Sequence, residues 1–96
     1  MLMSAYSMYD NKSLMYHPPF FSSTNAAAVR AVRDIVDDPN TTIGRHPSDY
    51  SLFLVGVWDD SNVVFTPMRP LTHVVDAVAL VSASVDATPL FRKEAS

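Results

Sequence analysis

The chain contains no cysteine, only two glycines and a net charge of −3. The absence of cysteine excludes disulfides, and three scattered histidines without cysteine favour no structural zinc site. Small secreted domains usually depend on disulfides, so we expect this chain to work in a reducing compartment. Two glycines also leave no glycine-rich loop of the kind that cradles phosphates.

Other signals are missing as well. The chain has no apolar run of the length needed to span a membrane, and its first residues lack the basic start and apolar core of a secretory signal. The acidic balance is unlike that of proteins that bind duplex DNA by charge. Any binding of nucleic acid must therefore depend on a local patch, on stacked rings or on a partner.

What is present predicts a folded domain. The chain has 96 residues, of which 48% are hydrophobic and 18% charged, which is the balance of a globular domain rather than a disordered segment. We predict one soluble α+β domain over residues 1–83, with a small antiparallel sheet of three to four strands packed by one or two helices. Residues 84–96 lose periodicity and are predicted to form a loose C-terminal tail.

Alternating and apolar runs predict strands at 3–9, 51–58 and 63–66, with an edge strand near 15–21 that the Pro18-Pro19 pair keeps from the centre of the sheet. The run 51–58 is apolar on both faces, which predicts a central strand. Strict alternation along this strand would put Leu52, Leu54, Gly56 and Trp58 on one face. Residues 59–62 are predicted to form a hairpin turn in which Asn62 adopts a positive φ.

Helical periodicity predicts a helix over 25–37, and residues 22–25 supply candidate N-caps. The predicted core stripe consists of Ala28, Val29, Val32, Ile35 and Val36. On its other side, Arg30–Asp34 and Arg33–Asp37 are spaced for i,i+4 ion pairs. A second helix over 73–84, capped by Thr72, is predicted with less support, because its valines fit a strand equally well.

Two pairs of side chains invite a chemical interpretation. His46 and Asp49 could hold a metal, but no third ligand has a suitable spacing, and a tight turn in which His46 packs on Tyr50 is favoured. Asp59 and Asp60 could act as an acid/base pair, but a solvated hairpin tip is favoured. With no nucleophile motif either, we predict no enzymatic activity, no cofactor and no metal.

Basic residues interleaved with aromatics favour single-stranded nucleic acid, because bases stack on rings and phosphates pair with cations. The candidates for such a surface are Lys12, Tyr16, Phe20, Arg30, Arg33 and Arg45. The alternative is that the rings belong to the core and that the arginines are solvated or paired with Asp34 and Asp37.

One combination of motifs resembles the small nonstructural protein of gokushoviruses, the Microviridae branch of single-stranded DNA phages. A Pro-Phe-Phe element, an Arg-Ala helix start, a His-Pro-x-Asp-Tyr turn and a Gly-x-aromatic-Asp-Asp strand end follow one another over roughly residues 5–80. The matching residues are Pro19, Phe20, Phe21, Arg30, Ala31, His46, Pro47, Asp49, Tyr50, Leu52, Gly56, Trp58, Asp59 and Asp60. The chain departs from the pattern at Val32, Ser48 and Asn62.

The resemblance implies a phage nonstructural accessory protein that binds DNA during single-stranded genome synthesis, replication or packaging. It implies a place in the host bacterial cytoplasm and not in the mature virion. The expected partners are single-stranded DNA and phage or host replication proteins, with no membrane, and self-association stays open. A protein-binding adaptor or assembly factor is the alternative, which the acidic composition favours.

Overall fold

The structure, a computed structural model, describes the backbone of residues 1–86 and the side chains of residues 1–81. A 3-10 turn covers Pro47–Asp49. The strands are β1 (Leu2–Asp10), β2 (Met15–Tyr16), β3 (Phe20–Ser22), β4 (Tyr50–Asp59) and β5 (Val64–Asp76). The helices are α1 (Asn25–Val36), α2 (Thr42–Arg45) and α3 (Ala77–Asp86).

The strands form one antiparallel sheet in the order β2-β1-β4-β5, and the short strand β3 pairs with β1 on the same side as β2. The α+β fold class with a small antiparallel sheet is thus confirmed. The predicted edge strand near 15–21 is divided into two, since β2 ends at Tyr16 and β3 begins at Phe20. The interruption contains Pro18 and Pro19, which cannot donate to a ladder.

The helices cover one face of the sheet. The hydrophobic core lies between them and the strands, with Tyr6, Val32 and Leu52 as its largest fully buried side chains. The predicted stripe of α1 is confirmed, because its valines and Ala28 are buried or half-buried against this core. No described helix is both long and apolar enough to cross a membrane.

Helix α1 begins where its capping chemistry places it. The hydroxyl of Thr24 accepts a hydrogen bond from the Ala27 N–H at 3.1 Å, which satisfies one of the free donors of the first turn. Just inside the helix, the Asn25 side chain accepts the hydroxyl proton of the buried Tyr6 at 2.5 Å. The start of α1 is therefore fixed to β1 as well as capped.

The hairpin over 51–66 is confirmed, with Trp58 paired to Phe65 and Asp59 to Val64. The residue with positive φ in its turn is Val63, at 57°, and not Asn62 as predicted. The turn has the predicted length of four residues but lies one residue later, at 60–63. Within it the N–H groups of Ser61 and Asn62 both donate hydrogen bonds to the Asp59 carboxylate.

Strand β5 continues much further than the prediction, through Pro67 and Pro70 to Asp76. Thr72 is therefore a strand residue and no helix cap, and α3 begins at Ala77. The prolines are tolerated because β5 is an edge strand. Pairing of Val75 with Leu52 and of Asp76 with Ser51 holds the valine-rich segment extended.

The prediction that Leu52, Leu54, Gly56 and Trp58 share a face is wrong. The register shifts between Ala5 and Tyr6: Tyr6 pairs with Leu54, whereas Ala5 pairs with Gly56. One extra residue in β4 at this bulge reverses the alternation. Leu52 and Leu54 face the helices, while Gly56 and Trp58 face the opposite side.

Two boundaries also move. The segment between α1 and β4, for which no helix was predicted, contains α2 and the 3-10 turn. Helix α2 is capped by Thr41, whose hydroxyl accepts a hydrogen bond from the Gly44 N–H at 2.9 Å. Residues 84–86, predicted to belong to the tail, are part of α3. The rest of the predicted tail, residues 87–96, lies outside the described residues.

Candidate nucleic-acid interface

The face of the sheet turned away from the three helices carries a row of aromatic side chains; we call it the open face. In β1, residues 5, 7 and 9 point to this side, because Tyr6 and Met8 point to the core. The bulge in β4 then adds Trp58 to the same side. Three of the rings on the open face, Tyr16, Phe21 and Phe65, are between 40% and 44% exposed.

At one end of the open face the rings form a continuous cluster. Tyr9 and Tyr16 lie 4.7 Å apart between ring centroids, and Tyr16 meets Phe53 edge-on at 5.7 Å. Phe53 in turn contacts the imidazole of His73 at 5.4 Å. These are attractive aromatic geometries, so the cluster presents fixed ring faces and edges rather than independent mobile side chains.

At the other end, Phe21 and Trp58 lie 6.1 Å apart. Between the two ends, Phe65 packs over Gly56, where a Cβ would lie 2.5 Å from the ring atom Cζ. Only glycine allows the Phe65 ring to approach the sheet this closely. The glycine thus positions the central ring of the row.

A groove of about 330 Å³ opens beside Phe65. Its floor includes the buried residue Ser7, which is 2% exposed. The Ser7 hydroxyl donates a hydrogen bond to the His17 carbonyl at 2.6 Å. The described residues that line it are Ser7, Tyr16, His17, Pro19, Val55, Phe65, Pro67, Arg69 and Leu71. The lining is thus mainly aromatic and apolar, with one guanidinium.

The charges near the open face are few. Arg69 lines the groove, and Lys12 lies in the exposed turn between β1 and β2. At the far end of β5, the Asp76 carboxylate accepts hydrogen bonds from His73 at 2.8 Å and from the Ser51 hydroxyl at 2.7 Å. The bond from His73 is the main cause that lowers the pKa of Asp76, followed by that from Ser51.

The structure does not bring the predicted nucleic-acid residues together. Tyr16 lies on the open face, with Lys12 in the adjoining turn. Phe20 packs on the core and stacks on Tyr6 at 5.8 Å. Arg30 and Arg33 are exposed on α1, behind the sheet, so one strand of DNA cannot contact these arginines and Tyr16 through a single surface.

The i,i+4 ion pairs predicted on α1 are not formed. Within the described part of the chain, neither Arg30 nor Arg33 makes an ion pair, since attraction between long side chains in water barely offsets their loss of freedom. Both arginines line a shallow depression along α1 together with Thr24 and Asp34. Arg45 donates to the Pro39 carbonyl at 3.3 Å and so braces the loop after α1.

Comparison with known proteins places the chain in a family. A family model described as Phage ORF5 protein matches residues 3–80, which is most of the 96 residues. The chain belongs to the Phage ORF5 protein family. No curated protein and no solved structure matches it. The phage origin expected from the sequence motifs is thereby confirmed.

Several residues of the sequence motifs have structural roles. Tyr50 is buried in the core, and burial raises the pKa of its hydroxyl. The ring that packs on Tyr50 is His17, at 5.6 Å, and not His46 as predicted. The Asp49 N–H donates to the His46 carbonyl at 3.0 Å. Of the motif residues, Pro47 begins the 3-10 turn and Pro19 lines the groove.

The acidic pair at the end of β4 belongs to the turn. Asp59 accepts from the side-chain amide of Asn62 at 2.9 Å, and this bond is the largest cause that lowers the pKa of Asp59. Asp60 accepts from the amino group of Met1 at 2.8 Å. The favoured interpretation of this pair as turn chemistry is confirmed.

Most residues of the open face were not predicted from the sequence. Tyr16 was found, but Tyr9, Phe53, Phe65 and Arg69 were not. Tyr9 could have been found from the period-two pattern of β1, which places it opposite Tyr6 and Met8. The bulge in β4 and the extension of β5 carry no local signal, so Trp58, Phe65 and Arg69 could not be assigned to one face.

Proposed function

We propose that the protein is a non-catalytic phage accessory protein that binds single-stranded DNA on the open face of its sheet. On this proposal it acts in the bacterial cytoplasm during genome synthesis or packaging of a gokushovirus-type phage, and it is absent from the mature virion. The observation that carries the proposal is the row of rings on the open face, of which Tyr16, Phe21 and Phe65 are the most exposed. Membership in a phage protein family supports the biological setting.

The rings supply the interaction that single-stranded DNA offers most freely. Each base that stacks on an aromatic side chain contributes about 1–3 kcal/mol, whatever the base. Tyr16, Phe21 and Phe65 expose 44%, 43% and 40% of their surface, and they lie on one side of the sheet. A duplex hides its base faces, so this surface favours single strands.

Charge makes a smaller contribution on the open face. The protein carries a net charge of −3. Among the described residues, Arg69 lines the groove beside the rings and Lys12 lies in the turn that precedes Tyr16. Each phosphate contact with a single strand contributes about −0.7 to the slope of log affinity against log salt. We therefore expect a shallow slope, no steeper than about −1.5, if DNA lies on the open face.

The exposed face of α1 is the competing location for DNA. Arg30 and Arg33 line one depression there and have no ion-pair partner among the described residues. Asp34 lines the same depression and would repel a phosphate. The described residues that line this depression include no aromatic ring, whereas the open face carries several, and the open face is therefore the better candidate.

A titration of the full chain with a labelled short oligothymidylate at two salt concentrations tests the proposal. Tyr16→Ala combined with Phe65→Ala should weaken binding at least fivefold, since one lost stack is worth about 1 kcal/mol or more. Arg30→Gln combined with Arg33→Gln is the matched control on the helix side and should leave affinity and slope unchanged.

The reverse pattern, in which the arginine pair weakens binding and lowers the slope while the ring pair does not, would move the DNA site to α1. Binding too weak to measure for the parent protein would refute the DNA-binding proposal as a whole.

A protein-binding adaptor is the second candidate, and the hairpin end of the sheet favours it. Leu2, Val63 and Val64 are 67%, 74% and 48% exposed there, which is unusual for apolar side chains grouped at one end of a small domain. Binding through these residues should persist at high salt. An interaction with a phage or host protein that Leu2→Ser with Val64→Ser abolishes would support this candidate.

A further inference from the structure

We propose that the groove beside Phe65 is a binding site for a single nucleotide, with its base between Tyr16 and Phe65 and its phosphate on Arg69. This inference rests on the proposed function and deepens it, because it identifies one position on the open face where a strand is held by more than a flat stack. It commits to a nucleotide of single-stranded DNA as the occupant of the groove.

The dimensions and walls of the groove fit such a ligand. Its volume of about 330 Å³ lies at the lower end of the range for small-ligand pockets. Tyr16 and Phe65 provide ring surface, and Pro19 and Pro67 provide flat apolar walls. A planar base is the component of DNA that buries its area against such surfaces.

The charge of the groove is complementary to a phosphate. Arg69 is the one lining residue with a permanent positive charge, and no carboxylate lines the groove among the residues that the structure describes. Arg69 donates one hydrogen bond, to the Met68 carbonyl at 3.1 Å, and a guanidinium carries five N–H donors in all. The remaining donors suit a phosphate oxygen pair.

The floor of the groove predicts little discrimination between bases. The Ser7 hydroxyl already donates its proton to the His17 carbonyl at 2.6 Å, and Val55 and Leu71 are apolar. Reading a base requires donors and acceptors placed against its edge. A site built of rings, apolar walls and one cation should therefore accept thymine and adenine nucleotides with similar affinity.

The apolar lining of the groove would by itself also suit an apolar peptide or a second copy of the chain. Among the described lining residues there is an arginine, Arg69, and no acidic side chain, which favours an anionic ligand over both. Self-association through the groove is an outcome that the experiment below distinguishes, because it depends on protein concentration and not on nucleotide.

The test is a titration of the full, isotopically labelled chain with deoxythymidine monophosphate, followed by backbone amide NMR shifts. The amides of Ser7, Val55, Phe65 and Arg69 should move. Thymidine should bind at the same place about tenfold more weakly, because it lacks the charge-assisted hydrogen bonds. Inorganic phosphate alone should leave these amides unmoved, and deoxyadenosine monophosphate should match the thymidine nucleotide within a few fold.

Two variants separate the parts of the site. Arg69→Gln should reduce the affinity for deoxythymidine monophosphate to that for thymidine, while Arg45→Gln, an exposed arginine on the helix side, should have no effect. Tyr16→Ala should weaken both ligands at least fivefold, while Phe21→Ala, on the open face outside the groove, should weaken neither. The amide spectrum of each variant reports directly whether its fold is intact.

The experiments distinguish the loss of the nucleotide site from the loss of DNA binding as a whole. If the oligothymidylate binds and the mononucleotide moves no groove amide, the nucleotide site is refuted while DNA binding stands. If neither ligand binds, both proposals are refuted. Equal affinity of Arg69→Gln and the parent for the mononucleotide, or shifts that depend on protein concentration alone, would also overturn the assignment.

Discussion

At the scale of single residues, Gly56 shows how a position without a side chain shapes the candidate site. A Cβ there would lie 2.5 Å from Phe65 Cζ and 2.7 Å from the Thr66 carbonyl oxygen. The ring can move away, but the carbonyl belongs to a paired strand. We expect Gly56→Ala to lower the free energy of unfolding by about 1–3 kcal/mol and to displace Phe65 from the groove.

Denaturant unfolding of a double-mutant cycle checks this prediction. In a Phe65→Ala background the clash with the ring is gone, so Gly56→Ala should cost less than in the parent, and only the overlap with the carbonyl should remain. Equal costs in the two backgrounds would show that the Phe65 ring does not depend on Gly56.

At the scale of elements, local signals predict what local forces decide. The cap at Thr24 and the stripe of α1 are both readable, and so is the hairpin around Asp59. The boundary between β5 and α3 cannot be predicted from the sequence, because a valine-rich run suits both a strand and a helix. The pairing of Val75 with Leu52 keeps this part of the run in the strand. The bulge in β4 likewise depends on its pairing with β1. This bulge determines which β4 side chains lie on the open face.

The β4–β5 turn is an element whose sequence and conformation conflict. Val63 has φ 57° and is 74% exposed, and a β-branched residue is strained in this left-handed region. Asparagine adopts it at less cost, so Val63→Asn should raise the free energy of unfolding by about 1 kcal/mol. For a domain of this size that corresponds to a rise in Tm of about 4–8 °C.

Thermal unfolding followed by circular dichroism measures this shift. Val64→Asn is the matched control, since residue 64 lies in β5 with extended backbone, where asparagine is disfavoured; it should lower Tm or leave it unchanged. A lower Tm for Val63→Asn would indicate that the Val63 side chain makes a stabilising contact that outweighs its strain.

At the scale of the whole molecule, three carboxylates hold the ends of the sheet, and their titration predicts how the fold responds to acid. Asp10 accepts from the Lys12 N–H at 2.9 Å in the β1–β2 turn, Asp59 fixes the β4–β5 turn, and Asp76 ties β5 to β4 through Ser51. Hydrogen bonds from these neighbours lower the pKa of all three carboxylates.

A carboxyl whose pKa is lower in the folded than in the unfolded chain stabilises the fold only while it is ionised. This stability is fully present above the unfolded value of about 3.9 and is lost as the pH falls through the folded values. We therefore expect the free energy of unfolding to be nearly constant above about pH 5 and to fall below about pH 4. Urea unfolding across this range, compared with a triple Asp→Asn variant at 10, 59 and 76, measures the effect. The variant should be less stable than the parent at neutral pH and should show a flatter acid decline; an equally steep decline would place the acid sensitivity in other groups.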